Sequence, residues 1–468
     1  MKQHAKVKKK WNVPHTYVII FMVIIFCALL TWVIPAGEYG RIPGPDDRTI
    51  VDVNDFNFVE RNPMGPLDIL ASIPKGLQQS ASIIFFIFIT GGSFFVIQST
   101  GAIESGVATA LRALQGKDTI LIPGIMLLMS ILGFTIGASE ETIAFIPIAL
   151  LLAKGMGYDN VVGVAMISTG AAIGFTGGML NPFTTGVAQS IAELPLYSGM
   201  TFRIVGYVIY YVIAVLYVLR YAKKVKADPK NSVLYGSENY DHEAEAVVMD
   251  HQMTTTHKLV LLVFVLGLGV MVWGVMSHGW YMDEIAATFL GVALVAGLIG
   301  GLSPSTIAVN FIAGAKDIAF GALVVGLART ILVILQEGII LDSIIYYLAN
   351  GLASLPRQIT AVGMFLVNSG INFFIPSGSG QAATLVPIMT PLADVLDITR
   401  QTAVLSVTYG DAISNQIIPT SGSLMACIGM AGISYDRWFK YNWKLMIYWT
   451  IVGAVLMAVA STIQLGPF

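Results

Sequence analysis

Gly137-Ala138-Ser139-Glu140-Glu141 interrupts an apolar stretch over residues 121–153, and Ser377-Gly378-Ser379-Gly380-Gln381 interrupts a second one over residues 358–393. Each stretch is too long and too broken for one simple helix. A helix that breaks at membrane depth must satisfy its free backbone groups inside protein or in a water-filled cavity. We therefore predict that both stretches are re-entrant hairpins whose tips are buried in a helical bundle.

The composition indicates that lipid is the solvent of this chain. Of its 468 residues, 55% are hydrophobic and 12% are charged, whereas soluble domains carry about 25% charged residues. The basic residues flank apolar spans and form no groove-sized patch, so nucleic acid is not an expected partner. Cys27 and Cys427 lie in apolar stretches, and no Cys/His spacing suggests zinc. We expect no cofactor beyond a coupling ion.

Hydropathy predicts an all-α, multi-pass integral membrane protein with about nine transmembrane helices besides the two hairpins. The apolar run near the N terminus is too long for the core of a signal peptide and predicts a retained first helix. The predicted spans are 17–35, 82–100, 160–192, 203–221, 258–276, 285–302, 318–335, 400–430 and 444–463.

The distribution of Lys and Arg predicts the orientation of these spans. Basic residues open the longest polar segment, the linker 222–257, which we place in the cytoplasm together with the lysine-rich N terminus. The acidic loop 36–68 then lies outside. With this assignment the first hairpin enters from the cytoplasmic side, and the second enters from the outside.

Residues of the two hairpin regions recur at a constant spacing. Pro147 and Pro387 are 240 positions apart, and so are Ser139 and Ser379. An ordered series of such matches over some 120 residues predicts an internal repeat. The first half is then residues 1–221, and the second follows the linker over residues 258–468.

The span 258–276 has no counterpart in the first half, and it reverses the orientation of everything that follows. The repeat is therefore expected to be inverted, an architecture of many secondary transporters. One half then opens inward where the other opens outward, and the exchange of these states alternates access to a site at the midplane.

Two of the long spans also carry breaks. The span 160–192 contains Leu180-Asn181-Pro182-Phe183-Thr184-Thr185-Gly186, and the span 400–430 contains Ile418-Pro419-Thr420-Ser421-Gly422. Proline removes a hydrogen-bond donor and glycine relaxes the backbone, so each helix is expected to open here. The freed carbonyls and amides can coordinate an ion or a carboxylate.

Ionisable residues at membrane depth are functional by default, because burying a charge is costly. Glu140 and Glu141 lie at the first hairpin tip, Arg329 lies within a span, and Asp411 follows the second hairpin. Adjacent carboxylates repel and need a counter-charge or a proton. We expect Arg329 to neutralise one glutamate or Asp411, and a cationic substrate or an ion to neutralise the other; a purely internal Glu–Arg pair is the alternative.

The second hairpin tip carries no charge, and its Ser-Gly-Ser-Gly run is typical of a nest of amide donors that suits a carboxylate. An acidic tip facing an amide-lined tip matches a zwitterion with one extra positive charge. The expected substrate-binding residues are Ser139, Glu140, Glu141, Asn181, Ser377, Ser379, Gln381, Asn415, Thr420 and Ser421. Arg329, Asp411 and Thr184 are candidates for ion pairing or coupling, to sodium near Asn181 or Asn415 or to protons.

These motifs resemble the YfcC/DcuC-type carriers of the ion transporter superfamily, whose members include the arginine:ornithine antiporters called ArcD. The resemblance covers essentially the whole chain. It implies an elevator-like mechanism, a homodimeric scaffold and the plasma membrane of a bacterium. The stretches that carry it are 137–142, 180–186, 327–329, 375–380 and 418–422.

We therefore expect a secondary transporter that exchanges basic amino acids, such as arginine and ornithine, or related cationic metabolites. A carrier of C4-dicarboxylates or other carboxylates, coupled to sodium or protons, is the alternative. It needs cationic anchors, and Arg329 is the one intramembrane cation against three acids. An intramembrane protease is disfavoured, because Asp159 lies at a span end, far from Asp411; no enzyme is expected. A channel is a further alternative, since broken helices can line a pore.

Overall fold

The chain folds mostly into helices. The computed structural model describes residues 16–43, 49–113, 118–135, 137–237, 252–278, 280, 282–352 and 355–466. Up to the linker the helices are α1 (Thr16–Val33), α2 (Pro66–Gln79), α3 (Ala81–Gln98), α4 (Ala102–Ala113), α5 (Asp118–Thr135), α6 (Ile146–Gly155), α7 (Asn160–Val164), α8 (Gly170–Gly177), α9 (Val187–Ile191) and α10 (Met200–Ala227).

After the linker they are α11 (Thr255–His278), α12 (Met282–Ile299), α13 (Pro304–Asp317), α14 (Ala319–Glu337), α15 (Leu341–Leu352), α16 (Arg357–Asn372), α17 (Gly378–Val395), α18 (Arg400–Ser414), α19 (Gly422–Met430) and α20 (Tyr435–Thr462). A 3₁₀ helix at Glu140–Phe145 precedes α6. Short π-helical turns at Ala165–Thr169 and Pro182–Gly186 adjoin α8 and α9.

Several helices have the length and apolarity of membrane spans. Within the described ranges four qualify: Ala81–Gln98, Asn160–Gly177, Met200–Ala227 and Tyr435–Thr462; a bent pair, Pro304–Asp317 with Ala322–Glu337, would make a fifth. At about 1.5 Å per residue, 28-residue helices such as α10 and α20 exceed the roughly 30 Å of a hydrocarbon core. The number of nine spans stays a prediction.

The expectation of an all-α fold is wrong in the loop 36–68. Strand β1 (Gly37–Pro43) pairs antiparallel with β2 (Thr49–Phe58), with Gly37 opposite Phe58. The run Thr49-Ile50-Val51 and the aromatic residues at the end of β2 have high strand propensity, which hydropathy averages conceal. Arg41 of β1 forms an ion pair with Asp342 at the start of α15 (2.8 Å), so the hairpin is held on that helix.

The segment that holds α16 and α17 turns back on itself. Arg357 begins α16, and its Nη1 lies 2.9 Å from Oδ2 of Asp397, two residues beyond the end of α17. The two ends of the segment therefore lie together. At the turn, the Ser377 hydroxyl accepts a hydrogen bond from the Gly380 amide and caps the start of α17.

The segment that holds α5 and α6 also returns to its starting side. Helix α5 runs antiparallel to α10: the hydroxyls of Ser130 and Tyr207 are 2.7 Å apart, and Tyr211 donates to the Pro123 carbonyl. The start of α5 thus lies toward the C-terminal end of α10. Asp159, beyond α6, accepts a hydrogen bond from Tyr221 near that same end of α10.

The two turned-back segments enter the bundle from opposite ends. Helices α10 and α20 are antiparallel, because the Tyr210 ring lies 5.5 Å from the Trp449 ring and the Tyr217 ring lies 5.4 Å from the Tyr441 ring. The first segment opens at the C-terminal end of α10. The second opens at the C-terminal end of α20, where Gln464 donates to the Asp397 carbonyl.

Glycines allow the arms of these segments to pack closely on the broken helices. A Cβ at Gly174 of α8 would lie 1.9 Å from the Ser130 carbonyl oxygen of α5, and one at Gly410 of α18 would lie 2.5 Å from the Asn368 Cβ of α16. No side chain fits at either contact. Helix backbones therefore meet directly at both places, and this contact fixes the height of the two turns within the bundle.

Candidate functional site

A polar cavity of about 310 Å³ lies where the two turns and the second helix break meet. The first turn contributes Ser139, Glu140 and Glu141; the second contributes Ser377 and Ser379; and the break between α18 and α19 contributes Asn415, Thr420 and Ser421. The α2–α3 junction and Arg329 of α14 complete the lining. Nine of the thirteen residues singled out from the sequence thus line one cavity.

The acidic side chains are held at the first turn by local hydrogen bonds. Gly137 has a φ of +64° and lies against Asn181, which leaves no room for a side chain. The Ser139 amide donates to Oε2 of Glu141 (3.0 Å), and the Ser139 hydroxyl donates to Ser423 across the cavity rim (3.1 Å). Glu140 and Glu141 are half-buried, and neither forms an ion pair with a described residue.

Arg329 does not form the ion pair with an acidic side chain that the sequence predicted. Arg329 Nε donates to Oε1 of Gln79 at 3.2 Å, and its guanidinium makes no ion pair within the described part of the chain. The reason is that α14 packs against α2, where Gln79 takes up the Arg329 Nε. The cavity therefore presents separated negative and positive groups.

Four of the expected residues lie behind the cavity wall. Gln381 is fully buried, and its amide donates to the Asn368 carbonyl, which ties α17 to α16. The Asn181 Oδ1 accepts from the amides of Phe183 and Thr184 and so caps the segment after the first break. Both roles stabilise the backbone, and these two side chains do not reach the cavity.

Asp411 and Thr184 meet behind the second turn. A Cβ on Gly378 would lie 2.1 Å from Cγ2 of Thr184 and 3.2 Å from Oδ2 of Asp411. Asp411 accepts a hydrogen bond from Asn415 through Oδ1 (3.0 Å), while its Oδ2 and the Thr184 hydroxyl have no hydrogen-bond partner among the described residues. A buried carboxylate oxygen of this kind favours a cation or a proton beside it.

Sequence reasoning missed Arg203, a second buried cation. Its side chain is 1% exposed, and Nη1 donates to the hydroxyls of Thr408 (3.3 Å) and Thr185 (3.5 Å). Arg203 thereby joins α18 to the segment after the first break. Arg203 lies near the start of helix α10, where the sequence alone does not tell which face of the helix is buried. Phe175 and Phe183, on either side of the first helix break, also line the cavity. These two apolar side chains were not among the predicted site residues.

A bundle of apolar helices with a polar, charged cavity between two buried turns defines a membrane carrier. The chain belongs to the C4-dicarboxylate anaerobic carrier family, DcuC, whose family model matches residues 13–462. This family consists of membrane carriers and not of enzymes.

Curated relatives extend over the whole chain. "Putative basic amino acid antiporter YfcC" of Escherichia coli (strain K12) is 32% identical over 492 residues, which cover 97% of each protein. An uncharacterized protein of Haemophilus influenzae is 29% identical over 500 residues, covering 97% of this chain and 98% of the relative.

Two solved transporters align along most of the chain. The YdaH transporter of Alcanivorax borkumensis is 16% identical, with a TM-score of 0.43, over 97% of this chain and 100% of its own. MtrF of Neisseria gonorrhoeae, described as illuminating a class of antimetabolite efflux pumps, is 14% identical with the same TM-score, over 97% of this chain and 96% of its own.

Proposed function

We propose that the protein is a secondary active transporter that exchanges basic amino acids, such as arginine and ornithine, or related cationic metabolites. The observation that carries this proposal is the pair Glu140 and Glu141 at the first turn, which line the cavity without a cationic partner among the described residues. Asp411 adds a third carboxylate behind the second turn. A cationic ligand supplies the charge that these groups lack.

The second candidate is a carrier of C4-dicarboxylates or other carboxylates. The description of the family favours it, and so does Arg329, whose Nη1 and Nη2 have no hydrogen-bond partner among the described residues. A dicarboxylate, however, would bring two more negative charges beside Glu140 and Glu141. The name of the Escherichia coli relative also favours the cationic substrate.

The transport mechanism belongs to the proposal. Two turned-back segments that open at opposite ends of the bundle support an inverted repeat, 1–221 and 258–468, with re-entrant hairpins. We infer an elevator motion in which the hairpins and broken helices slide against a homodimeric scaffold. The basic residues at 220–230 support a cytoplasmic linker and N terminus in a bacterial plasma membrane.

A coupling ion is the remaining part of the proposal. The unpartnered oxygens of Asp411 and Thr184 support the uptake of sodium or a proton next to Asn415. Asn181 is the alternative position, and its Nδ2 also has no partner among the described residues.

Counter-flow in proteoliposomes tests the substrate class. Vesicles loaded with arginine or ornithine are expected to accumulate labelled arginine, and external succinate should not compete. Glu141→Gln should weaken this exchange, while Glu193→Gln, on an exposed residue away from the cavity, should not. Exchange of succinate in place of arginine would reverse the assignment, and non-saturable flux would indicate a channel.

A further inference from the structure

Arg329 is held so that only part of its guanidinium is engaged. Nε donates to Gln79, and Nη1 and Nη2 have no hydrogen-bond partner among the described residues, although the side chain lines the cavity. We propose that Arg329, oriented by Gln79, binds the carboxylate of the transported amino acid. This inference rests on the proposed function and names the part of the substrate that Arg329 recognises.

The packing of α14 on α2 fixes the position of Arg329. A Cβ on Gly76 would lie 2.5 Å from the Thr330 hydroxyl, and one on Gly326 would lie 2.4 Å from the Leu77 side chain. The two helices are therefore in backbone contact one turn from Arg329. The Arg329 side chain starts next to this contact, so its first carbon atoms are already confined. It therefore loses little conformational entropy when it binds a ligand.

The remaining nitrogens of Arg329 suit a carboxylate. A guanidinium presents its N–H groups as a planar fork that binds a carboxylate through two parallel hydrogen bonds. Gln79 occupies Nε and leaves the Nη1/Nη2 pair for the ligand. Ser80, which precedes α3, and Ser82 near its start also line the cavity and add hydroxyl donors.

The charged groups of the lining select a particular kind of substrate. Arg329 binds the carboxylate, and Glu140 and Glu141 bind the cationic side chain. A cavity of about 310 Å³ is at the small end of ligand pockets and suits one amino acid. This arrangement moves the carboxylate from the second turn, where the Ser-Gly-Ser-Gly run predicted it, to Arg329, because a charged donor binds a carboxylate more strongly than neutral ones.

A comparison of arginine with its decarboxylated analogue agmatine tests the inference. Each compound is added as a competitor of labelled arginine in exchange by the purified transporter in proteoliposomes. In Arg329→Gln, we expect arginine to compete about tenfold more weakly. Agmatine should compete as well as before or better, because a positive charge that repels it has been removed. Arg329→Lys should retain part of the preference for arginine.

Lys75→Gln is the matched control. Lys75 pairs with Glu337 across the same two helices, so its loss removes one positive charge and one α2–α14 contact outside the cavity. Lys75→Gln should leave the competition by arginine and by agmatine unchanged. A misfolded protein cannot improve its affinity for agmatine, so damage to the fold does not imitate the expected result.

The outcomes separate the two claims. If wild-type protein exchanges arginine and Arg329→Gln weakens arginine and agmatine equally, or neither of them, the carboxylate subsite is wrong and the proposed function stands. If wild-type protein exchanges no basic amino acid, the proposed function fails, and the subsite for a cationic amino acid fails with it.

Discussion

Arg357 and Asp397 form an ion pair of 2.9 Å although they are separated by two helices and a turn. A segment that crossed the bilayer once would place these residues on opposite sides. Their pairing thus supports a chain that enters the bundle, turns at Ser377 and leaves by the same side. The exposed pair itself contributes little stability, so its value is as a marker of topology.

Labelling from one side of the membrane checks this topology. Single cysteines in Arg357→Cys and Asp397→Cys should both react with an impermeant maleimide added outside right-side-out cells. Lys230→Cys, in the linker, should react only after the membrane is opened. Cys27 and Cys427 are fully buried and should not react. Labelling of positions 357 and 397 from different sides would contradict a re-entrant hairpin.

Glu140 and Glu141 are expected to act on cationic substrates specifically. The loss of a charge-assisted contact of about 1.5–3 kcal/mol corresponds to roughly tenfold or more in affinity. Each change to Gln should therefore weaken competition by arginine and ornithine at least about tenfold, measured by exchange in vesicles. Neutral amino acids should be affected far less. An equal loss for neutral and cationic ligands would point to damage at the first turn instead.

Small polar residues and prolines in the sequence predicted where the helices around the cavity break. Small polar residues at 137–141 and 377–381, and prolines at 182 and 419, mark the places where helices stop in the structure. A break in an apolar helix needs such residues, because others leave backbone groups without partners in lipid. The cavity is lined from all four of these breaks, the first helix break contributing Phe183.

The elements and roles that were not predicted depend on packing. Helices α2, α4, α13 and α15 are short, and some are too polar for a hydropathy window. Which side of α10 is buried decides the role of Arg203, and the neighbouring helices settle that. Gln381 and Asn181 carry the polar groups expected in a site, yet both side chains form hydrogen bonds with backbone groups instead.

Asp159 fastens the described start of the linker to the bundle. It caps α7 through the Val162 amide, and its Oδ2 accepts from Tyr221 (2.6 Å) and Ser232 (2.5 Å). Asp159→Ala should lose the cap and both hydroxyl contacts, at a cost of about 1–3 kcal/mol. Hydrogen exchange of residues 228–237 should then become faster. Asp228→Ala, which removes the exposed cap of Pro229–Asn231, is the control and should speed exchange only at Lys230 and Asn231. Unchanged exchange in Asp159→Ala would contradict this role.

We expect Arg203 to be needed for transport and not for the stability of the fold. Its hydrogen-bond acceptors among the described residues are neutral hydroxyls, so Arg203→Met leaves no carboxylate of that part of the chain unpaired and removes the cost of burying a charge. The melting temperature in detergent should stay or rise, while exchange falls because buried charges in membranes mark functional positions. A clear fall in melting temperature with normal exchange would make Arg203 a structural cross-link.

Gly378 sets the contact between the second turn and the first helix break. Its added Cβ would overlap Thr184 at 2.1 Å, and that atom belongs to a fully buried side chain that cannot move aside. Gly378→Ala should therefore push the two elements apart and lower the rate of exchange at least about tenfold, since contacts under 3 Å in a packed interior force backbone shifts. A Cβ on Gly370, on the other arm of the same hairpin, meets no described atom within 4 Å, so Gly370→Ala should exchange normally. If both variants exchange at the wild-type rate, close apposition of the second turn and the first break is not needed for transport.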